Sequence, residues 1–381
     1  MNEIVLNRRA TEGSAQAVSP PLASAAAPPL LLDRLATLVE SEGGTPVRIT
    51  AHMATAAEYA VCLPVRNEEA LLPATLAALG EAMHQAERPG ACVFLLNDTA
   101  DSSARIIERW AGRSRTPFAL AEVAFSDTCA AAPRARRIAL ETAMATAPDA
   151  PLLTTDADTL VAPDWIAANL RHLRDGADLV CGEVDVSPAE LAALAPAVQR
   201  CGEVEAAYTA ALRQLWQRWT GGTAPDPLLS AMGASLAIRP EALRAVGGLP
   251  LPMVGEDRAL AQAMAEAGFR LVAAPDVRVT TSLRLHGRAE GGVSDTLRQR
   301  AADPDPPCDE KLRPVAAMCA LAREWQKLVG LPDAQARFAR VLGAAGHARM
   351  TLSQVKRELL LAEASLGQPA ADYVGQAIAA E

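Results

Sequence analysis

Aromatic residues are scarce: 5 Trp, 3 Tyr and 5 Phe in 381 residues, or 3%. A core must therefore be built from Ala, Leu and Val. Because 50% of residues are hydrophobic, enough for a sizeable core, wholesale disorder is excluded. Basic charge is not in excess, since 36 Lys and Arg face 45 Asp and Glu, for a net charge of −9. That balance argues against nucleic acid as a partner, which calls for a basic surface. No apolar run reaches the length of about 18 residues that a transmembrane helix needs, so no integral membrane span is expected. Met1–Thr11 carries charges where a signal peptide needs an apolar stretch. The 7 cysteines, at 62, 92, 129, 181, 201, 308 and 319, are odd in number and include no CxxC pair. This favours reduced, buried thiols in a cytoplasmic protein over disulfides or a zinc knuckle. GxGxxG, GxxxxGK[ST] and GxSxG are all missing, which removes the main support for dinucleotide, P-loop and serine-hydrolase readings.

At about 150 residues per domain, the length suggests two to three domains, or one large domain with helical additions. Residues 1–55 read as a flexible leader, polar and then Ala/Pro/Ser-rich, with a possible short helix at Leu31–Glu42. From Tyr59, apolar strand-like runs (Tyr59–Leu63, Cys92–Leu96, Leu152–Thr155, Leu179–Glu183) alternate with helical patterns. The alternation predicts an α/β fold with a mostly parallel sheet flanked by helices. Between about 188 and 220, Val204, Tyr208, Ala211, Leu215 and Trp219 recur at three- and four-residue spacing and predict a helical insertion. Ala231–Ile238, Leu271–Ala274 and Val277–Thr281 read as further strands. Residues 301–381 read as a C-terminal helical extension, after a main domain over 56–300.

The strongest local signal is Thr154-Thr155-Asp156-Ala157-Asp158-Thr159. Two carboxylates at the end of an apolar strand suit a hard divalent cation, Mg²⁺ or Mn²⁺, whose shell a diphosphate would complete. A plain turn is the alternative. Asp98 also follows an apolar strand, and ligands of open α/β sheets sit beyond the carboxyl ends of strands. Glu256 and Asp257 follow Gly255 at a helix start, where acidic residues favour the dipole but also suit a general base. Arg134, Arg136 and Arg137 form either a solvated helix face or a diphosphate contact. His286, between Arg284 and Arg288, reads as a surface residue, a third metal ligand or a phosphate contact.

In order, Leu63-Pro64-Val65-Arg66-Asn67-Glu68-Glu69, Leu96-Asn97-Asp98, Ala135-Arg136-Arg137, Asp156-Ala157-Asp158 and Gly255-Glu256-Asp257 resemble family 2 glycosyltransferases of the GT-A fold. The resemblance covers about Tyr59 to Arg300. It implies a nucleotide-diphosphate sugar donor, an acceptor hydroxyl and, usually, inversion at the anomeric carbon, in a hexosyltransferase-class enzyme. Carried over, Pro64, Arg66, Glu68 and Asp98 hold the nucleoside, Arg136 lies near the nucleotide, and Asp156 serves ribose and metal–diphosphate binding. Asp158 is the main metal ligand, and the segment holding His286 resembles the closing section of some bacterial members, with a metal or phosphate role. Asp257 is the catalytic base, with Glu256 beside it. Two positions depart from the pattern: Asn97-Asp98-Thr99-Ala100-Asp101 replaces the usual Gly-Ser-containing turn, and Arg137 stands where Asn is common. The helix with Tyr208, Trp216 and Trp219 either shapes an acceptor site or is core. A non-catalytic nucleotide-sugar-binding or scaffold protein of the same fold is the alternative reading, and a nucleotidyltransferase ranks behind it. The sugar, the base, the acceptor and the oligomeric state are not encoded in any of these motifs.

Overall fold

The computed structural model describes residues 29–52, 57–126, 131–252, 255–283 and 293–367. Its chain divides into two compact units. One comprises residues 1–186, 231–264 and 270–282, and the other 187–230, 265–269 and 283–381.

The first unit carries a nine-stranded sheet among the described residues. Its strands are β1 (Gly44–His52), β2 (Tyr59–Val65), β3 (Gly90–Asn97), β4 (Phe118–Phe125), β5 (Leu152–Thr154), β6 (Thr159–Val161), β7 (Leu179–Val186), β8 (Leu236–Ile238) and β9 (Leu271–Thr281). They lie in the order β1-β4-β3-β2-β5-β8-β7-β9-β6. Strands β4, β3, β2 and β5 pair in parallel, as the alternating pattern predicts. Beyond β5 the sheet is mixed: β8 is antiparallel to both its neighbours, β7 and β9 are parallel, and β6 is antiparallel to β9. The expectation of a mostly parallel sheet therefore holds for one half only.

Strand β3 is buried along its whole length and β2 at every position but Pro64, because helices cover both faces. Leu72, Leu76 and Leu79, Ile107, and Trp165 and Ile166 from three helices close one face over Val61, Leu63, Phe94 and Leu120. Proline inside a central strand normally breaks the ladder. Ala60 and Cys62 bond toward β5 through their backbones, so Pro64, two residues on, faces the same side. There β5 has already ended at Thr154, opposite Cys62. The missing N–H costs no ladder bond, and the chain is free to turn.

Several elements differ from the sequence reading. Within the expected leader, the short helix expected at Leu31–Glu42 is present as Pro29–Ser41, but Gly44–His52 is not leader: it is β1, paired with β4. Its short apolar run alternates too weakly to stand out. The strand expected over Ala231–Ile238 is confined to Leu236–Ile238. The two strands expected on either side of Pro275-Asp276 are one strand, β9, whose register against β7 shifts between Gly182 and Glu183. A bulge absorbs the proline.

The second unit is helical. Helix Pro196–Thr220 joins the helices Val315–Leu328, Ala334–Ala344 and Leu352–Leu366 around a core containing Tyr208, Trp216, Trp219, Trp325 and Phe338. The expected insertion and C-terminal extension are thus parts of one body. The rings of Trp216 and Trp325 lie 5.7 and 5.6 Å from Phe338. Trp216 donates to the Pro225 carbonyl at 3.0 Å, and the Tyr208 hydroxyl donates to that of Arg313 at 2.7 Å. Tyr208, Trp216 and Trp219 are therefore core of this unit, with the polar ends of Tyr208 and Trp216 satisfied inside it. No helix among the described residues is long and apolar enough to cross a membrane.

Phe338 sits between two indole rings, so Phe338→Ala should remove about 3–5 kcal/mol from this unit. Urea unfolding followed by tryptophan fluorescence checks this, and an unchanged midpoint would contradict the packing described.

Candidate active site

Three of the parallel strands deliver the candidate residues to one edge. Val65 pairs with Leu96 and Cys62 with Thr154, so the segments after Val65, Asn97 and Thr154 all leave the carboxyl ends of adjacent strands. The loops after β2 and β3 are sewn together. Asn67 Oδ1 accepts from the Ala100 N–H at 2.8 Å, Asp101 Oδ2 from Glu69 N–H at 2.8 Å, and Glu69 Oε2 from Ser102 N–H at 3.0 Å. Glu68 is buried, and its N–H donates to Ser103 Oγ at 3.0 Å. Asn67 and Asp98 adopt positive φ, 51° and 47°, which their short polar side chains tolerate. Asp98 Oδ1 accepts from the Phe125 N–H at 3.0 Å, which ties the end of β3 to the end of β4.

The centre of the site is Arg136, on the helix Ala131–Thr146. Its side chain is 7% exposed. Nη2 donates to Asp156 Oδ1 at 2.6 Å, Nε to Glu256 Oε1 at 3.2 Å, and Nη1 to Thr154 Oγ1 at 2.7 Å and the Gly233 carbonyl at 2.8 Å. Four of the five guanidinium N–H groups are thereby engaged by protein. Gly233 is gripped from its other side as well, because its N–H donates to Asp257 Oδ2 at 2.9 Å. Burial lowers the Arg136 pKa, but Asp156, Glu256 and Asp257 more than offset this, leaving it above its ordinary value. Burial, with Asp257 nearby, pushes the Cys181 thiol up to about 12.

Two glycines are required by geometry. A Cβ on Gly233 would stand 2.6 Å from Arg136 Nη2. Gly255 opens the helix Glu256–Glu266 at φ +83°, in the left-handed region.

The sequence-predicted residues fall into three groups. Arg136, Asp156, Glu256 and Asp257 are brought together by the bonds above. Pro64, Arg66, Glu68 and Asp98 lie at the ends of β2 and β3, and Asp158 is half-buried in the turn between β5 and β6. His286 lies outside the described residues. Thr154 and Gly233 were given no role from sequence. Thr154 precedes the paired aspartates, which was a usable signal, whereas Gly233 shows itself only through the fold.

The fit to a divalent cation rests on the donor set. Asp156 and Asp158 are hard oxygen ligands, and Arg136 occupies only Oδ1 of Asp156. Among the described residues, no three of these carboxylates converge within 4.8 Å. Mg²⁺-type sites commonly use one or two carboxylates and take the rest of their shell from substrate phosphates and water. The residues present fit that kind of site.

Residues 60–226 match the family Glycosyl transferase family 2. The matched stretch is less than half of the chain and takes in strands β3 to β7 of the mixed sheet. The match ends before Gly255, so Glu256 and Asp257 lie beyond it. Among solved structures, the chain is similar to the mannosyltransferase PcManGT from Pyrobaculum calidifontis in complex with GDP-Man and Mn²⁺, at 20% identity over 84% of each chain and a TM-score of 0.45. It is also similar to S. aureus TarS 1-349 in complex with UDP-GlcNAc, at 13% identity over 75% of this chain and 71% of that one, with a TM-score of 0.45. A further likeness is to glucosyl-3-phosphoglycerate synthase from Mycobacterium tuberculosis, at 17% identity, 64% and 78% coverage and a TM-score of 0.37. No curated protein matches the sequence.

Arg136→Lys keeps the charge but cannot reproduce a four-way fork. It should cost about 3–5 kcal/mol, the usual penalty for breaking a buried ion pair. Gly233→Ala should lower stability by displacing the same guanidinium. Thermal melts of both variants check this, and wild-type midpoints would contradict the clamp.

Proposed function

We propose that this protein is a metal-dependent, inverting glycosyltransferase of the hexosyltransferase class. It would move a sugar from a nucleoside-diphosphate donor to an acceptor hydroxyl, working in the cytoplasm, where its described cysteines would stay reduced. The single observation that carries the reading is the Arg136 fork. It fixes the acidic end of β5 and the acidic start of the Glu256–Glu266 helix as one group of carboxylates at the strand ends. The family match over 60–226 supports it.

In this reading Pro64, Arg66, Glu68 and Asp98 hold the nucleoside at the ends of β2 and β3. Asp156 and Asp158 would hold Mg²⁺ or Mn²⁺, which when bound neutralises charge on the departing diphosphate. Arg136 is a positioning residue here rather than a nucleotide contact, because four of its five N–H donors go to Asp156, Glu256, Thr154 and Gly233. Glu256 commits Oε1 to that guanidinium. Asp257 is held instead by neutral backbone donors, Gly233 N–H on Oδ2 and Arg258 N–H on Oδ1. Asp257 is therefore the carboxylate to which this reading gives the base role. Asp257 removes the acceptor hydroxyl proton, and the oxygen forms its bond to the anomeric carbon opposite the diphosphate. The old carbon–oxygen bond breaks with its electron pair leaving on the diphosphate, so the configuration inverts.

Asp257→Asn should lower transfer by about 10²–10⁴-fold, the usual worth of a general base, while donor affinity by calorimetry holds. Near-normal turnover would refute the role. Asp158→Ala should abolish the metal-dependent part of donor binding, and an unchanged titration would remove it as a ligand. A non-catalytic scaffold would show no Mn²⁺-dependent donor hydrolysis at all.

A further inference from the structure

The helical unit contains a second cluster of ligand-type side chains that sugar transfer does not use. Cys201 and Glu205 lie one turn apart on the helix Pro196–Thr220 and so share a face. Cys308 approaches them from a segment more than a hundred residues away, held by its N–H donating to the Met350 carbonyl at 2.8 Å. The two Sγ atoms are 4.0 Å apart, and the ligand atoms of all three residues lie within 4.8 Å of one another. Both cysteines are fully buried.

We propose that Cys201, Cys308 and Glu205 form a binding site for a thiophilic divalent cation, zinc. The spacing suits the ion, since tetrahedral bonds of about 2.3 Å place two sulfurs about 3.8 Å apart. Softness suits it too: thiolates select zinc over Mg²⁺ or Mn²⁺. The carboxylate is already oriented. Glu205 Oε1 accepts from Asp309 N–H at 2.6 Å and from Arg300 Nη2 at 2.5 Å, and neither bond uses Oε2. Such outer partners fix ligand geometry in metal sites. The charges balance as well, because two thiolates and a carboxylate exceed the ion by one negative charge, and Arg300 supplies the compensating positive one. Burial pushes both thiols up and Arg300 pulls them down, so a bound cation would have to displace their protons. The Glu205 side chain, 15% exposed, gives the cluster its solvent side and leaves a fourth position for water. The ion would pin the long helix to the segment carrying Cys308. This site is independent of the transfer reading.

The test uses the full chain, purified without chelator. Bound zinc is measured by elemental analysis, Co²⁺ is then substituted, and thiols are counted in denaturant without reductant. The expected result is one zinc per chain and a sulfur-to-cobalt charge-transfer band, lost in both Cys201→Ser and Cys308→Ser. Glu205→Gln should retain the fold and weaken zinc binding by about tenfold or more. The band reads thiolate ligation, so a cation at the Asp156–Asp158 site does not imitate it. Absence of the band with all thiols titrating overturns the proposal, as does a band that survives both serine variants. A count two thiols short overturns it in favour of a Cys201–Cys308 disulfide.

Discussion

One buried guanidinium organises the candidate site. Arg136 is desolvated and would be costly to bury alone, but three carboxylates, a hydroxyl and a carbonyl surround it. The dependence runs both ways. Without the arginine, Asp156, Glu256 and Asp257 would repel one another; without the carboxylates, the arginine would be an unpaired charge in the interior. The sheet sets the stage by ending β5 three residues in, at Thr154, so that the chain turns where the guanidinium waits.

The same constraint explains the small residues around it. Gly233 donates to Asp257 and accepts from Arg136 through one residue, which leaves no room for a side chain. Gly255 reverses the chain so that the next two residues present their carboxylates at the helix start. Each piece is ordinary alone. Together they hold acidic groups from positions 156 and 256–257 in fixed relation.

The ordered motifs made much of this legible in the sequence. Apolar runs at Tyr59, Cys92, Leu152 and Leu179 marked strands because a doubly covered sheet demands continuous burial. The paired aspartates and Glu256-Asp257 marked strand and helix ends. Three things were hidden, each for a physical reason. Strand β1 is an edge strand with alternating exposure, so its hydrophobic signal is diluted. Arg136 had two readings, a solvated basic face or a contact to the nucleotide, and only tertiary structure shows its guanidinium bonded to Asp156, Glu256, Thr154 and Gly233. Cys201 and Cys308 showed no metal-type spacing because the fold, not the local sequence, brings them together. The aromatic residues on the Pro196–Thr220 helix had two readings, and their inward hydrogen bonds decide for core.

The central claim is that Asp156 and Glu256 are energetically coupled through Arg136. A double-mutant cycle on stability, with Asp156→Asn, Glu256→Gln and the pair, measures this directly. The account predicts a coupling of about 0.5–3 kcal/mol, as for residues sharing one ion-pair network. Strict additivity would show that the two carboxylates act separately and that no common clamp exists.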